Sequence, residues 1–142
     1  MNKPTGFDPE RYAISGTEDS QQISLFGWAA SGETRKSYPE LAWLFAIPNG
    51  GYRTKAGAGK LRAMGVKKGV PDIFLPVKRG EFLGLFLELK RPAEEGKRAG
   101  QTSPEQKVWI EYLKKAGYGA AVCFGFDHAR QMLIDYLNYK KE

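Results

Sequence analysis

Apolar residues follow two rhythms along the chain. Thr17, then Glu18 and Asp19, then Gln22, Ile23, Leu25, Phe26 and Ala29 combine an N-cap, an acidic first turn and an apolar stripe at helical spacing. This predicts a helix ending near Gly32. Residues 41–47 (LAWLFAI) form a short apolar run between Pro39 and Pro48-Asn49-Gly50-Gly51, the punctuation of a buried strand. Residues 55–64 have the composition of a short helix weakened by Gly57 and Gly59. Residues 73–77 and 83–89 are β-rich and joined by Lys78-Arg79-Gly80-Glu81, which predicts a hairpin. After a charged, exposed loop at 91–101, Ser103-Pro104-Glu105-Gln106 has the form of a capping box. The helix it opens carries Trp109, Tyr112, Leu113 and Ala116 on one face and ends at Gly117. Residues 120–124 read as a strand, and Asp127 as the cap of a last helix bearing Met132, Leu133, Tyr136 and Leu137. The order predicts a mixed sheet flanked by helices, of α/β or α+β type, with a parallel crossover from the second hairpin strand to the last strand.

At 142 residues and 42% apolar composition, the chain is expected to be one domain, residues 1–142, with residues 1–16 as an extended N-terminal arm. The lone Cys123 allows no intramolecular disulfide and sits in an apolar run as core filler. No apolar stretch has the length of a membrane span, and the first residues lack the apolar block of a signal peptide, so a cytoplasmic protein is expected. The formal charge is +6, and the excess is local: Arg53, Lys55, Lys60, Arg62, Lys67, Lys68, Lys78 and Arg79 are accompanied by a single acid, Asp72. A focused basic segment suits a polyanion, most often nucleic acid, although a solvated face kept for solubility has the same composition.

Asp72, Glu88 and Lys90 stand out because they lie among residues that otherwise look like buried sheet. Side chains alternate faces along a strand, so Glu88 and Lys90 share a face. Asp72 joins them only if the hairpin opposes residues whose numbers sum to an even value, 72 with 88 and 74 with 86, through an odd-length loop such as Arg79-Gly80-Glu81. Phe74 and Phe86 then form an apolar floor under the acids. Two carboxylates about 5 Å apart repel unless a cation lies between them or one stays protonated. A hard divalent cation such as Mg²⁺ accepts such a pair together with water and phosphate oxygens, whereas one His and one Cys cannot furnish a usual zinc set. Lys90 could orient or deprotonate an attacking water, or hold charge building on a phosphate. The competing reading is plainer: Asp72 ends a turn, and Glu88 and Lys90 form an ordinary ion pair. Gly57-Ala58-Gly59-Lys60 is no P-loop, since Thr54 and Leu61 stand where Gly and Ser or Thr are required. His128, at a helix start, reads as structural.

Pro71-Asp72 followed by Glu88-Leu89-Lys90 resembles the PD-(D/E)XK nuclease superfamily. Gly69-Val70-Pro71-Asp72, Glu88-Leu89-Lys90, and Ser103-Pro104-Glu105-Gln106 with Trp109 are together similar to the VRR-NUC family. Glu18 with Gln22, Pro48-Asn49-Gly50-Gly51 and Gly65-Val66 agree with it, so the resemblance runs from about Thr17 to Phe124.

The resemblance implies a Mg²⁺ or Mn²⁺ dependent nuclease with a restriction-endonuclease-like αβββαβ core. By position it implies Asp72 and Glu88 as metal ligands with the backbone carbonyl of Leu89, and Lys90 as the catalytic lysine. Glu18 would serve the metal directly or through water, against the alternative of a helix-dipole glutamate, and Gln106 would help place water or phosphate, a role that its place in the capping box need not exclude. Asn49, Arg53, Lys55, Lys60, Arg62, Lys67 and Lys68 would then grip phosphates with little reading of base sequence. By analogy with small members of the family, a homodimer of bacterial or phage origin acting on branched DNA such as four-way junctions is expected. A nucleic-acid-binding module without catalysis, or the same chemistry on flaps, linear duplex or RNA, stays open.

Overall fold

A computed structural model describes residues 9–10, 17–48 and 54–142. Helix α1 (Glu18–Ala30) begins where the Thr17 hydroxyl accepts the Ser20 N–H at 3.1 Å. Ser31 then caps a second, unforeseen short helix, α2 (Gly32–Ser37). The inward face of α1 also differs from the expected stripe, being Ser20, Gln21, Ser24, Leu25 and Ala29, with Ile23 exposed. The polar residues have a reason to be inside. The backbone N–H of Phe126, buried at the start of the last helix, donates to Gln21 Oε1 at 2.7 Å, and a buried donor without an acceptor would cost about 1–3 kcal/mol.

The run at 41–47 is not the buried strand its composition predicts. Pro39 opens a 3₁₀ turn (Pro39–Trp43), and only Phe45–Ala46 form strand β1. Leu41 and Leu44 reach the core while Trp43 and Phe45 face solvent, because the run lies at the edge of the sheet. Helix α3 (Lys55–Ala63) follows, capped by Thr54, whose hydroxyl accepts the Gly57 N–H at 3.0 Å. Then come β2 (Ile73–Leu75), β3 (Leu85–Lys90), α4 (Pro104–Lys115), β4 (Gly119–Phe124) and α5 (Phe126–Asn138).

The sheet order is β1-β2-β3-β4, with β1, β2 and β3 antiparallel in turn and β4 parallel to β3, so the mixed α+β architecture and the crossover are as expected. The β2–β3 register opposes Phe74 with Phe86 and Ile73 with Leu87, the even-sum pairing. Its connection is not the predicted three-residue loop. Arg79 and Phe82 close a two-residue tip by mutual N–H to carbonyl bonds of 3.0 and 2.8 Å. The extra residue is absorbed at Pro76-Val77, where proline has no N–H for the ladder and the Val77 N–H turns back to the Leu75 carbonyl at 2.9 Å.

The odd-numbered side chains of β2 and β3 (Ile73, Leu75, Leu87, Leu89) pack with Leu25, Cys123, Leu133 and Leu137 against α1 and α5. The Cys123 thiol is buried there, and desolvation pushes its pKa up to about 12. The even face carries Phe86, Tyr118, Ala120 and Val122 against Ile110 and Leu113 of α4. Helix α4 is rolled from the expected stripe, so Tyr112 is exposed and Ile110 takes its place. Each buried leucine contributes on the order of 2 kcal/mol, which offsets the cost of keeping ionisable groups at the end of the same strand. The last helix is capped not by Asp127 but by Gly125, at φ 91°, where a side chain would press on Gln21 and Pro92. His128 Nδ1 accepts the Phe124 N–H at 3.0 Å, a structural contact that ties helix to strand. Among the described residues no helix is long and apolar enough to cross a membrane.

Candidate metal centre

Asp72 immediately precedes β2, and Glu88 and Lys90 close β3, so the even-sum register sets all three on one face at one end of the sheet. The Leu89 N–H donates to Asp72 Oδ2 at 2.9 Å, which fixes the aspartate against the neighbouring strand. The Asp72 carbonyl accepts the Ile47 N–H at 2.6 Å, which holds it to the strand on the other side. Gly69, at φ 93°, lets the preceding loop lie on the start of α4, since a Cβ there would come within 2.7 Å of the Glu105 carbonyl carbon.

Glu88 is 1% exposed and Lys90 7%. Lys90 Nζ lies 3.4 Å from Glu88 Oε1, and Gln106 Nε2 donates to the same oxygen at 2.7 Å. Gln106 also completes the capping box, its own oxygen accepting the Ser103 N–H at 2.8 Å, so the capping and site-facing roles coexist in one side chain. The stem of Lys90 is covered by the loop at 91–101, where Gly100 leaves room for it: a Cβ would sit 3.4 Å from the lysine Cβ and Cδ. Glu18, in the first turn of α1, reaches over from solvent. One carboxylate oxygen each from Glu18, Asp72 and Glu88 lie within 4.8 Å of one another.

Three carboxyls this close are electrostatically unfavourable when all are ionised. Burial, then the Asp72 carboxylate beside it, pushes Glu88 up to about 8 from an ordinary value of 4.5. Burial also raises Asp72, against the pull of the Leu89 N–H, and raises Glu18, against the pull of Lys90. Glu88 Oε2 is buried and has no donor among the described residues. A proton or a cation between the acids would satisfy it. An all-oxygen donor set, open on the Glu18 side, fits a hard divalent ion.

The structure thus brings together Glu18, Asp72, Glu88, Lys90 and Gln106. Leu89 presents its N–H to Asp72, and a strand residue points its N–H and C=O to the same edge, so its carbonyl faces that side as well. The basic residues are spread out. Lys55, Lys60 and Arg62 lie on α3, none of whose residues is buried, and Lys67 and Lys68 lie in the loop entering β2. Lys68 pairs with Glu105 at 3.6 Å. Asn49 and Arg53 are outside the described residues. Reading the sequence missed Gln21, which holds α1 to α5 one turn from Glu18. A glutamine flanked by Ser20 and Ser24 on a helix face was the signal, but it does not differ from a solvated face.

An acid ahead of one hairpin strand and acid-x-lysine at the end of the next, set on a mixed sheet between helices, define a nuclease-type domain of the PD-(D/E)XK kind. The model of one family, the VRR-NUC domain, matches residues 48–127. A solved structure described as a VRR_NUC domain protein is 30% identical, covers 85% of this chain and 88% of its own, and superposes with a TM-score of 0.67. The chain belongs to the VRR-NUC family. Among curated proteins there is no match.

Proposed function

We propose that residues 1–142 act as a single nuclease domain, a Mg²⁺ or Mn²⁺ dependent endonuclease that hydrolyses DNA phosphodiester bonds. The observation that carries this is the convergence of Glu18, Asp72 and Glu88 within 4.8 Å, with Lys90 3.4 Å from Glu88. Asp72 and Glu88, with the Leu89 carbonyl, would hold the ion, and Glu18 would reach it directly or through water. A divalent ion held there supplies positive charge beside the scissile phosphate and makes a nearby water more acidic. Lys90 orients the attacking water and stabilises charge gathering on the phosphate, while Gln106 fixes the geometry of Glu88. The exposed bases Lys55, Lys60, Arg62, Lys67 and Lys68, together with Asn49 and Arg53, hold the DNA backbone. Branched DNA, with four-way (Holliday) junctions the sharpest choice, and a homodimer offering two sites to two strands are favoured by analogy with small family members.

The test incubates labelled four-way junction, flap, linear duplex and RNA with Mg²⁺, Mn²⁺ or EDTA, using wild type and Asp72→Ala. Metal-dependent cleavage, greatest on the junction and lost in Asp72→Ala, is expected. Binding without cleavage under every condition would make the chain a binding module instead. Cleavage strongest on another substrate would overturn the junction assignment alone.

A further inference from the structure

The sheet face that carries the acids holds a row of aromatic rings, covered by α4 at its Phe86 and Tyr118 end and exposed at Phe45. Phe45, Phe74 and Phe86 are direct cross-strand neighbours. Phe74 stacks on Phe86 with centroids 4.1 Å apart, and Phe45 meets Phe74 edge-on at 5.6 Å. Tyr118 closes the row against Phe86 at 5.3 Å. The inner rings are braced by each other, but Phe45 is 47% exposed and Trp43, just upstream, 68%. Trp43 at the end of the 3₁₀ turn and Phe45 on the edge strand leave adjoining stretches of apolar ring in water, a surface on which an occupant could dock.

The row's position says what that occupant is. Phe45 pairs with Phe74, two residues along the chain from Asp72 and about 7 Å at an extended rise, or roughly two stacked base steps. The chain leaves β1 through Ile47, bonded to Asp72, and enters the basic segment that supplies Lys55, Lys60 and Arg62. Flat apolar surface beside a carboxylate centre, on a chain whose next described element carries Lys55, Lys60 and Arg62, matches a polyanion with exposed ring faces. A continuous duplex does not expose them, because its base faces are stacked on one another; an unpaired nucleotide does.

We propose that Phe45, backed by Phe74 and Phe86, is a stacking platform for an unpaired nucleobase next to the scissile phosphate, so that the enzyme prefers DNA with unstacked nucleotides at the cleavage point. This rests on the nuclease reading for its substrate. The platform itself is tested by binding. Wild type, Phe45→Ala and Phe45→Trp are titrated in EDTA with a short single strand carrying one 2-aminopurine, and with the matching full duplex. Wild type and Phe45→Trp quench the 2-aminopurine, whereas Phe45→Ala loses the quench and about tenfold in single-strand affinity, with duplex affinity unchanged. Phe45 is exposed on a two-residue edge strand, so its loss spares the core. An unchanged affinity, an equal loss on both probes, or no single-strand binding by wild type overturns the platform. So does light scattering that shows Phe45→Ala splitting a self-associated wild type while the quench persists, which would make the patch a contact between copies. The same proteins assayed with Mg²⁺ separate the two ideas. Cleavage without the quench defeats the platform alone, and the quench without cleavage under any metal defeats the nuclease reading alone.

Discussion

Gln106 joins two jobs that usually belong to different residues: its oxygen caps α4 and its amide grips Glu88 at 2.7 Å. Exchanging it for glutamate separates them, because Glu at the third helical position preserves the capping box while it removes the donor. Gln106→Glu should therefore keep the helix content measured by far-UV circular dichroism. Metal-dependent cleavage should fall by on the order of 10- to 100-fold, the usual cost of losing a partner that orients a metal ligand. Unchanged cleavage would reduce Gln106 to a cap.

Asp72→Asn keeps an oxygen for the Leu89 N–H but removes one of the crowded charges. The metal-free variant should melt at or above the wild-type temperature, and the rise in Tm that Mg²⁺ or Mn²⁺ gives wild type should vanish. If Asp72 serves the proposed reaction, activity and metal-free stability should move in opposite directions, because the ionised acids repel one another. A metal-induced Tm rise of wild-type size in Asp72→Asn would remove this aspartate from the ligand set.

The raised Glu88 sets the pH dependence of the metal-free protein. Between 4.5 and about 8 the folded state holds a proton on Glu88 that the unfolded chain has released, so raising pH favours unfolding. Asp72 and Glu18 shift the same way. In EDTA the Tm should fall from pH 5 to pH 8, and Glu88→Gln should flatten the fall. Added Mg²⁺ should raise Tm more at pH 8 than at pH 6, since the ion must displace that proton. Scanning calorimetry over this range checks both slopes.

Lys90→Met keeps the stem that Gly100 accommodates and deletes the charge. Turnover should fall by roughly 10²–10³-fold, as for loss of one transition-state charge contact, with DNA affinity nearly unchanged. A parallel loss of affinity would make Lys90 a binding residue.

Lys60 and Arg62 end α3, where they suit the helix dipole and make no ion pair among the described residues. Replacing either by alanine should lower the slope of log affinity against log salt by about one and weaken binding to all sequences alike. Titrations across a salt series read the slope.

How much of this was legible in the sequence depended on whether the determinant was local or parity-based. Alternation placed Glu88 and Lys90 on one face and reduced the place of Asp72 to a question of parity, which the pairing of Phe74 with Phe86 answers with the even sum. The capping box followed from four adjacent residues. The run at 41–47 failed because apolar composition does not say whether a segment lies in the middle of a sheet or at its edge; Trp43 and Phe45 look like core until the sheet order places them outside. Gln21, Gly100 and Gly69 act on partners far away in sequence or by leaving space, and neither property appears in a single chain read in one direction.

The irregularity at Pro76-Val77 has a bearing on how this scaffold tolerates change. It insulates the pairing of Ile73 to Leu75 with Leu85 to Leu87 from the two-residue tip, so additions or deletions between 76 and 84 can be taken up outside the ladder. Lengthening β3 beyond Leu87 by a single residue would instead swing the glutamate into the leucine side and invert the lysine with it. Natural or designed variation in hairpin size should be abundant at the distal end and absent at the acidic end.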